Sequence, residues 1–510
     1  MRIFGSLVLA AASICLTAAG ADYFVSPKGD DKAAGTRAAP WRSIERVNQA
    51  QFKAGDRILF EGGQTFNGRL ALGAQSSGAE KSPVVLSSFG KGRARIDGGT
   101  GEALVIDGAS HIRVESLNFT GAGRKTGSTT SGVVIRNSRH VEVVNIETSG
   151  FRTSGLYLDG AEHVTITKIR AHLNGGAGLS SGGGRSKHIT ITDSLFENNP
   201  GNPVVLKNHS GNGLVIGNAE HVLIERCEAR YNGWDMPWTG NGPVGIWAYR
   251  SDRVVIRHCV AHHNRSTAKD GGGFDFDGGM TNSILEYNYS HSNFGSGYLI
   301  CQYKGGGLFE NNIVRYNISQ DDGLFDHNAG IYVWVGGADM KSTLVHNNTI
   351  FNSKGAAVII AGAKEYADQM PVLGFHNNIF VTQGPQIVGA EHGKFAGNLY
   401  WSVGERGFRV GEFKSLEAWA AATGQEMAEG KLAGIFTDPL LRKDGNGLLT
   451  DPRQMRTLRE YHLLPGSPAA GAGLDLRTLF KIDPGKTDYY GTPLPAGVLS
   501  IGAHEPAARR

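Results

Sequence analysis

The amino-acid sequence predicts an all-β fold, a parallel β-helix in which short strands stack coil upon coil into a solenoid. Three observations predict it. Glycine supplies 73 of the 510 residues, about twice its usual share of roughly 7%, and glycine disfavours long helices. A strand-like phrase recurs between about residues 100 and 385. Asparagine recurs at the turns between these strands, as is typical of repeat proteins with short strands.

The recurring phrase consists of a glycine, a short strand with alternating side chains, a turn and a β-branched run. Its clearest copies are Gly155–Asp159 with His163–Thr167, Gly213–Gly217 with His221–Glu225, Gly245–Tyr249 with Arg253–Arg257, and Gly273–Asp277 with Ser283–Glu286. The spacing varies from roughly 23 to 35 residues, as expected where insertions lie in the loops of a solenoid. Successive coils lie about 4.8 Å apart, so equivalent residues form ladders.

Two asparagine ladders are predicted at the turns, because asparagine tolerates left-handed backbone and its amide can bond to the next coil. Their expected members are Asn174, Asn198, Asn232, Asn264 and Asn293 in one ladder, and Asn288, Asn317, Asn347 and Asn377 in the other. Cys227 and Cys259 fall at the same position of adjacent coils, where we expect small buried core residues.

The two ends of the chain differ from the repeats. Residues 1–21 have the pattern of a cleavable signal peptide, with Arg2, an apolar stretch and Ala19-Gly20-Ala21. We therefore expect a mature chain from Asp22 that is secreted or periplasmic, with no later membrane span. Residues 22–100 are predicted to form an N-terminal cap and the first strands, 101–400 the coils, and 401–510 a C-terminal cap and tail. Short helices are expected near 43–50 and 416–424.

Composition excludes several classes of partner. The formal net charge is only +4 and the chain has no run of lysine and arginine, so no nucleic-acid partner is expected. No phosphate-binding loop, serine-hydrolase elbow or zinc-type Cys/His spacing is present. The three cysteines beyond residue 21 are too few for a disulfide framework. We expect a monomer.

Alternation along the recurring strand predicts which side chains point outward. One outward ladder reads Tyr157, Val215, Trp247, Asp275, Leu299 and Tyr332, and the second reads Asp159, Gly217, Tyr249, Asp277, Cys301 and Trp334. Acidic and aromatic side chains therefore gather on four consecutive coils of one solvent-facing surface. This surface is the predicted site.

Asp275 and Asp277 are the candidate catalytic pair. They flank inward-pointing Phe276, which puts their Cα atoms about 7 Å apart. Glycosidases use two carboxyl groups about 5 to 9.5 Å apart, one as acid and one as base or nucleophile. The same pair could instead hold a cation or only keep the surface soluble.

The aromatic members of the ladders are candidate substrate-binding residues: Trp247, Tyr249, Tyr332 and Trp334. Sugars present C–H faces that pack on aromatic rings, but the same rings could pack under an inserted loop. Polar residues in the flanking turns extend the set of candidates to Lys207, His209, Asp235, Arg250, Lys269, Asp270, Lys304, Asp322, Asp326 and His327. Of these, His327 is expected to bind substrate, and Lys304 or Arg250 could take the proton that a lyase removes.

Several motifs carry a resemblance to a known family. The segments Tyr23–Pro27, Pro40–Ile44 and Gly271–Gly279, and the tail Leu464–Ala469, are similar to secreted right-handed parallel β-helix proteins of the pectate-lyase-like superfamily. The resemblance implies a right-handed solenoid with caps at both ends, acting on carbohydrate. Because this superfamily includes lyases, glycoside hydrolases, epimerases and esterases, it does not select a reaction.

The chain departs from the better-known members of the superfamily. Calcium-dependent pectate lyases lead us to expect an Asp-Asp-Gly-Trp-Asp cluster, where this chain has Gly295–Leu299. Asp321-Asp322-Gly323 follows a coil later without Trp-Asp. The Gly-His-Gly and Arg-Ile-Lys segments of polygalacturonase-like hydrolases are also missing from the sequence. No known mechanism transfers directly.

Three functional hypotheses follow. The first is a glycoside hydrolase that cleaves an extracellular polysaccharide or oligosaccharide with Asp275 and Asp277. The second is a polysaccharide lyase acting on a uronate polymer, in which Ca²⁺ is the implied cofactor and Asp275, Asp277 and Asp322 are its candidate ligands. The third is a glycan-binding β-helix without catalysis, which would use the same aromatic ladder.

Overall fold

The computed structural model describes residues 20–337, 340–362 and 373–506. The predicted right-handed parallel β-helix is confirmed: three long sheets, each parallel throughout, wrap around one core. The predicted signal peptide lies outside the described residues except at its last two positions. Within the described part of the chain, no helix has the length and apolar character needed to cross a membrane.

Sheet A forms the first side of the solenoid. Its strands are Asp22–Val25, Arg57–Glu61, Val84–Phe89, Ser110–Glu115, Arg139–Val144, Glu162–Thr167, Ser186–Thr192, Ala219–Glu225, Asp252–Arg257, Ile284–Glu286, Ile313–Arg315, Thr343–His346, Leu373–His376 and Lys394–Ala396.

Sheet B forms the second side, and the predicted outward ladders lie on its strands. These are Leu70–Gly73, Leu104–Asp107, Val133–Arg136, Ser154–Asp159, Ala177–Ser181, Asn212–Gly217, Val244–Tyr249, Gly272–Asp277, Tyr298–Tyr303, Ala329–Gly336, Ala356–Ala361 and Ile387–Val388.

Sheet C closes the coil. Its strands are Thr65–Asn67, Ala94–Gly99, Leu117–Gly121, Glu147–Ser149, Arg170–His172, Leu195–Glu197, Glu228–Arg230, Val260–His262, Tyr289–His291, Ile318–Gln320, Thr349–Asn352, Ile379–Thr382, Leu399–Ser402 and Ile435–Phe436. An antiparallel pair, Met427–Ala428 and Lys431–Leu432, lies outside the three sheets.

Helices occur mainly near the chain ends. The α-helices are Ile44–Asn48, Leu416–Thr423 and Leu476–Phe480, and the 3₁₀ turns are Ala74–Ser76, Ala390–His392, Val403–Glu405, Pro452–Thr457 and Arg459–Tyr461. The first two α-helices fall where the sequence predicted them. Ser43 caps the first helix by accepting a hydrogen bond from the Arg46 amide. Gly424 ends the second in the left-handed conformation.

The core consists of side chains that alternate inward along the strands. Leu156, Leu214, Ile246, Phe274 and Ile331 succeed one another along sheet B and are fully buried, as predicted. The cysteine prediction is also confirmed, because the Cys227 amide lies 3.4 Å from Cys259 Sγ and both residues are buried.

Two asparagine ladders run along the interior, and the prediction misplaced three of their members by one residue. Asn199, Asn348 and Asn378 point inward, in place of Asn198, Asn347 and Asn377. The three predicted residues adopt left-handed backbone, with φ of 49°, 52° and 52°. A residue with left-handed backbone bends the chain at the corner between two sheets, and its own side chain points away from the interior. The side chain of the following residue therefore enters the ladder.

Each asparagine ladder ends on a buried acid. In one ladder Asn293 Nδ2 donates to Asp322 Oδ1 at 2.8 Å, and in the other Asn398 Nδ2 donates to Glu426 Oε1 at 2.7 Å. Each of these amides donates one hydrogen to a backbone carbonyl of the preceding coil and the other to the side-chain oxygen of the next coil. The last position therefore needs an acceptor, which a carboxyl oxygen supplies.

The C-terminal region has two structural roles. Trp419 of the second helix packs on the core at the end of the solenoid. From about residue 438 the chain instead lies along the side of sheet C, where Tyr461 and Tyr489 join a second apolar cluster with Tyr289. The predicted C-terminal cap therefore both closes the end of the solenoid and covers part of its flank.

Candidate functional site

A cleft of about 860 Å³ lies on the outer face of sheet B. It is lined by strand residues and by the turns that precede the strands. The residues that line it include Tyr157, Ser180, Asn208, His209, Val215, Asn241, Trp247, Tyr249, Lys269, Asp270, Asp275, Asp277, Leu299, Cys301, Tyr303, His327, Tyr332 and Trp334.

Strand pairing brings the two predicted outward ladders into this cleft. Trp247 pairs with Asp275, and Asp275 with Leu299. On the second ladder Tyr249 pairs with Asp277. The register has one coil more than predicted, because Ser180 lies between Tyr157 and Val215 on the first ladder.

Asp275 lies at the floor of the cleft and is only 3% exposed. Burial raises the pKa of its carboxyl well above the ordinary range, and the negative charges of Asp277 and Asp270 raise it further. Within the described structure its Oδ1 is buried without a hydrogen-bond partner. The raised pKa favours the protonated form of this carboxyl group, and one of its oxygens is free for a ligand.

Asp277 lies two residues further along the same strand and is half-buried. Burial raises its pKa to about 6, while hydrogen bonds from Cys301 and from the Gly278 amide lower it. The Gly278 amide donates to Oδ1 at 2.9 Å. Because its pKa is the lower of the two, Asp277 is the member of the pair that ionises near neutral pH.

Trp247 and Tyr249 form one end of the cleft, with ring centroids 5.5 Å apart. Trp247 is 4% exposed, because His209 from an inserted turn lies edge-on at 5.1 Å and Asn212 accepts a hydrogen bond from the indole. Tyr249 leans over Gly217, where an added Cβ would lie 2.2 Å from the ring. The predicted solvent-facing ladder is thus walled in by the loops at this end.

Two turns bring a polar cluster to the middle of the cleft. His327 Nε2 lies 3.1 Å from Asp270 Oδ1 and 3.2 Å from Asp326 Oδ2, and its ring stacks on Tyr332 at 3.9 Å. The Asp270 amide donates to Asp326 Oδ2 at 2.8 Å, which joins turns 56 residues apart. Buried His327 Nδ1 lacks a partner among the described residues.

The far end of the cleft is more open. Trp334 is 40% exposed, and Cys301 and Tyr303 lie between it and the carboxyl pair. Burial and the charge of Asp277 raise the pKa of Tyr303 to about 12, so its hydroxyl keeps its proton. Lys269 is the one lysine or arginine among the cleft-lining residues that the structure describes.

The donor sets in the cleft do not fit a calcium ion. Ca²⁺ takes six to eight oxygen ligands, whereas Asp270 and Asp326 already share a histidine nitrogen that lies between them. Asp275 is buried and its raised pKa favours the neutral form, which is a poor ligand for a cation. Among the cleft-lining residues that the structure describes, the carboxyl groups therefore do not form the cage of oxygens that calcium requires.

Of the residues predicted for catalysis or metal binding, three lie away from the cleft. Asp322 points into the core, where Ser319 Oγ and Asn293 donate to its carboxylate, so it cannot join a metal site with Asp275 and Asp277. Lys304 and Arg250 are exposed and do not line the cleft. The Arg250 guanidinium donates instead to the Gly305 carbonyl at 2.9 Å. The strand alternation ends before these two residues, so their side chains leave the face of sheet B.

Sequence reasoning also missed residues that line the cleft. Tyr303 continues the alternation two positions after Cys301, which was a usable signal. Asn208 and Asn241 come from inserted turns without any periodic pattern. Their positions depend on how the insertions fold over the sheet, which cannot be predicted from the alternation of side chains along a strand.

Comparisons with known proteins agree with the fold. The family model described as "Pel9A-like, right handed beta helix region" matches residues 23–328. Pectate lyase Pel9A is 16% identical, with 96% of each chain covered and a TM-score of 0.47. The PL6 family alginate lyase AlyGC is 18% identical, with 88% of this chain and 57% of that chain covered and a TM-score of 0.54.

A GH136 lacto-N-biosidase from Eubacterium ramulus is 18% identical, with 64% of each chain covered and a TM-score of 0.48. The aligned part is thus a little under two thirds of that enzyme's length. No curated protein matches the sequence. At these identities the likeness to solved structures concerns the fold alone. Because the family model covers more than half of its residues, the chain belongs to the Pel9A-like right-handed β-helix family.

Proposed function

We propose that this protein is a carbohydrate-active enzyme that hydrolyses glycosidic bonds of an extracellular polysaccharide. Asp275 acts as the general acid and Asp277 as the base or nucleophile. The observation that carries the proposal is a pair of carboxyl groups on one strand with unequal environments. One is fully buried with a free oxygen, and the other titrates near pH 6.

The chemistry of glycoside hydrolysis needs this inequality. One carboxyl group must carry a proton to the leaving oxygen while the other is ionised to activate water or attack the anomeric carbon. The deeper burial of Asp275 favours its neutral form, and the two hydrogen bonds to Asp277 favour ionisation of that partner. Microscopic environment thus assigns the two roles.

Charge in the cleft favours a neutral sugar over a uronate. Asp270, Asp275 and Asp277 line it, with Lys269 as the balancing cation. A uronate carboxylate placed near the pair would meet like charge in a site shielded from water, where repulsion is stronger. Tyr332 and Trp334 offer rings against which a neutral pyranose can pack.

Polysaccharide lyase activity is the second candidate, and Lys269 favours it. A lyase needs a base for the C5 proton of a uronate, and Lys269 lies in the cleft whereas Lys304 and Arg250 do not. Because the oxygen donors of the cleft do not fit calcium, this alternative would not use that ion. A site that binds glycans without cleaving them is the third candidate.

Product chemistry tests the proposal. The chain without residues 1–21 is incubated with neutral and acidic polysaccharides, and new reducing ends are measured together with the ultraviolet absorbance of unsaturated uronate. We expect new reducing ends without absorbance, and we expect Asp275→Asn to abolish the new reducing ends. Absorbance that rises with the reducing ends and is lost in Lys269→Ala would replace hydrolysis by elimination.

A matched control separates catalysis from a general charge effect. Asp107 lies on sheet B, outside the cleft, in the ladder position that leads to Asp277 six coils later. Asp107→Asn removes the same charge from the same face and is expected to leave turnover unchanged. Glycan binding without turnover across the panel would support the binding-only candidate.

A further inference from the structure

A column of five histidines lies on the outer face of sheet A, on a different side of the solenoid from the cleft. Each is contributed by a successive coil: His111, His140, His163, His188 and His221. Strand pairing places them in one register, since Val141 pairs with Val164 and Ile189 with Val222 immediately after the histidines. No zinc-type spacing is visible in the sequence, because these residues lie 23 to 33 positions apart.

The imidazole rings of the column stack face to face. Successive ring centroids lie 4.6, 4.8, 4.6 and 4.9 Å apart, and the ring planes differ by at most 11°. The spacing is that of the coils themselves. Stacking therefore presents a row of imidazole nitrogens along one line at the surface.

Carboxylates lie beside the middle of the column. Glu162 Oε1 is 3.7 Å from His163 Nε2, and the two side chains are 47% and 46% exposed. Nitrogen and oxygen atoms of Glu162, His163 and His188 all lie within 4.8 Å of one another. The column also lines a groove of about 960 Å³, to which Glu80 and Glu142 contribute.

Backbone geometry alone does not explain the histidines. All five occupy a left-handed position, with φ between 53° and 55°. The equivalent position of the next coil holds Arg253 with φ of 52°. The turn therefore accepts other side chains. The five successive histidines are therefore not required by the backbone, and their imidazole groups need another explanation. Imidazole is the commonest protein ligand of transition metals.

We propose that Glu162, His163 and His188 form a binding site for a divalent transition-metal ion such as Zn²⁺, which links two adjacent coils of sheet A. Two imidazoles and one carboxylate are a three-ligand set that zinc accepts, with water in the fourth position. Metal–ligand bonds of about 2.1 Å require shifts on the order of 1 Å in these exposed side chains. His140 and His221, which stack on His163 and His188, are the neighbouring imidazoles of the column.

Calorimetric titration of Zn²⁺ into the chelator-treated chain tests the site. We expect saturable binding, weakened at least tenfold in the double variant His163→Gln/His188→Gln. His172→Gln is the matched control, because His172 Nε2 lies 2.7 Å from Glu147 Oε1, a histidine–carboxylate pair outside the column. Equal binding by the double variant and the unmodified chain, or no binding by either, would overturn the proposal.

Two further measurements test whether Zn²⁺ binds the folded chain and whether it binds the column or the cleft. Zn²⁺ is expected to raise the melting temperature of the unmodified chain but not of the double variant, since an ion that joins two coils binds only the folded state. Asp326→Asn/His327→Gln removes the polar cluster of the cleft. Loss of Zn²⁺ binding in that variant, with binding retained in the column variant, would assign the ion to the cleft and reject the column.

Discussion

The interior ladders and the cleft both contain buried acids, but their hydrogen bonds differ. Asp322 and Glu426 end the asparagine ladders, and burial raises the pKa of each to about 7. Both carboxylates are surrounded by donors, such as Asn398 and Tyr400 around Glu426. In the cleft, Asp275 is as deeply buried, yet one of its oxygens has no partner in the described structure.

This difference teaches how to separate structural from functional acids in the fold. A raised pKa alone does not distinguish them, since burial raises it in both regions. Saturation with hydrogen bonds does, because an acid whose oxygens are all used has none left for a substrate. A buried oxygen without a partner costs stability unless something binds it.

The largest expected effect is that substitutions in the cleft reduce turnover but not stability, whereas substitutions in the ladders reduce stability but not turnover. Asp275→Asn and Asp277→Asn should each reduce turnover by about 10² to 10⁴-fold, the usual contribution of an acid or base. Their melting temperatures should change little. Asp322→Ala and Glu426→Ala should do the opposite. Turnover on the best substrate and thermal unfolding, measured on all four variants, would contradict the comparison if the cleft variants kept full activity.

Glu426→Ala is expected to lower the free energy of unfolding by roughly 3 kcal/mol. It leaves the amide of Asn398 and the hydroxyl of Tyr400 buried without an acceptor. Glu426→Gln, which keeps one acceptor oxygen, should lose less. Chemical denaturation of both variants measures this, and equal losses would show that the acceptor oxygen kept by Glu426→Gln contributes nothing to stability.

Stability should also depend on pH through Glu426. Its folded pKa of about 7 lies above the value of about 4.3 in an unfolded chain, so the folded state binds the proton more tightly. Its contribution is therefore complete below pH ~4.3 and is lost as the pH rises through about 7, on the order of 4 kcal/mol. The difference in unfolding free energy between the unmodified chain and Glu426→Gln, followed from pH 4 to 8, isolates this group from other titrating residues.

Activity should rise with pH as Asp277 ionises. Because its pKa is about 6, kcat/KM should fall about fivefold between pH 6 and pH 5. Asp277 accepts hydrogen bonds from the backbone amide of Gly278 and from the Cys301 side chain. Cys301→Ala removes the second donor, so it should raise the pKa of Asp277 and shift the acidic limb of the pH–activity profile to higher pH. A limb that does not move in Cys301→Ala would place the titration on another group.

The smallest expected effect concerns the open end of the cleft. Trp334→Ala should raise KM a few-fold with little change in kcat, since an exposed ring contributes about 1 kcal/mol to packing against a sugar. Leu308, which is also exposed but lies outside the cleft, is the control. A drop in kcat alone would mean that Trp334 shapes the cleft and does not bind substrate.

Much of the site was predictable from short-range alternation. A strand of period two fixes that Asp275 and Asp277 share a face, and the repeat of the strand places Trp247 and Tyr249 one coil before them. Glycine and asparagine at the turns indicated the solenoid. The single-residue errors at Asn198, Asn347 and Asn377 arose because two adjacent asparagines both suit a turn, and alternation does not say which one is left-handed.

The fold, most ladder positions and the shared face of the two carboxyl groups could be predicted from the sequence. They follow from the alternation of side chains within one strand and from the repeat of that strand in the next coil. Only the tertiary structure decided that inserted turns bury Trp247, and that Asp270, Asp326 and His327 meet across 56 residues. It also brought the five histidines into one column. Those contacts depend on the length of each intervening coil, so residues distant along the chain become neighbours only when the coils stack.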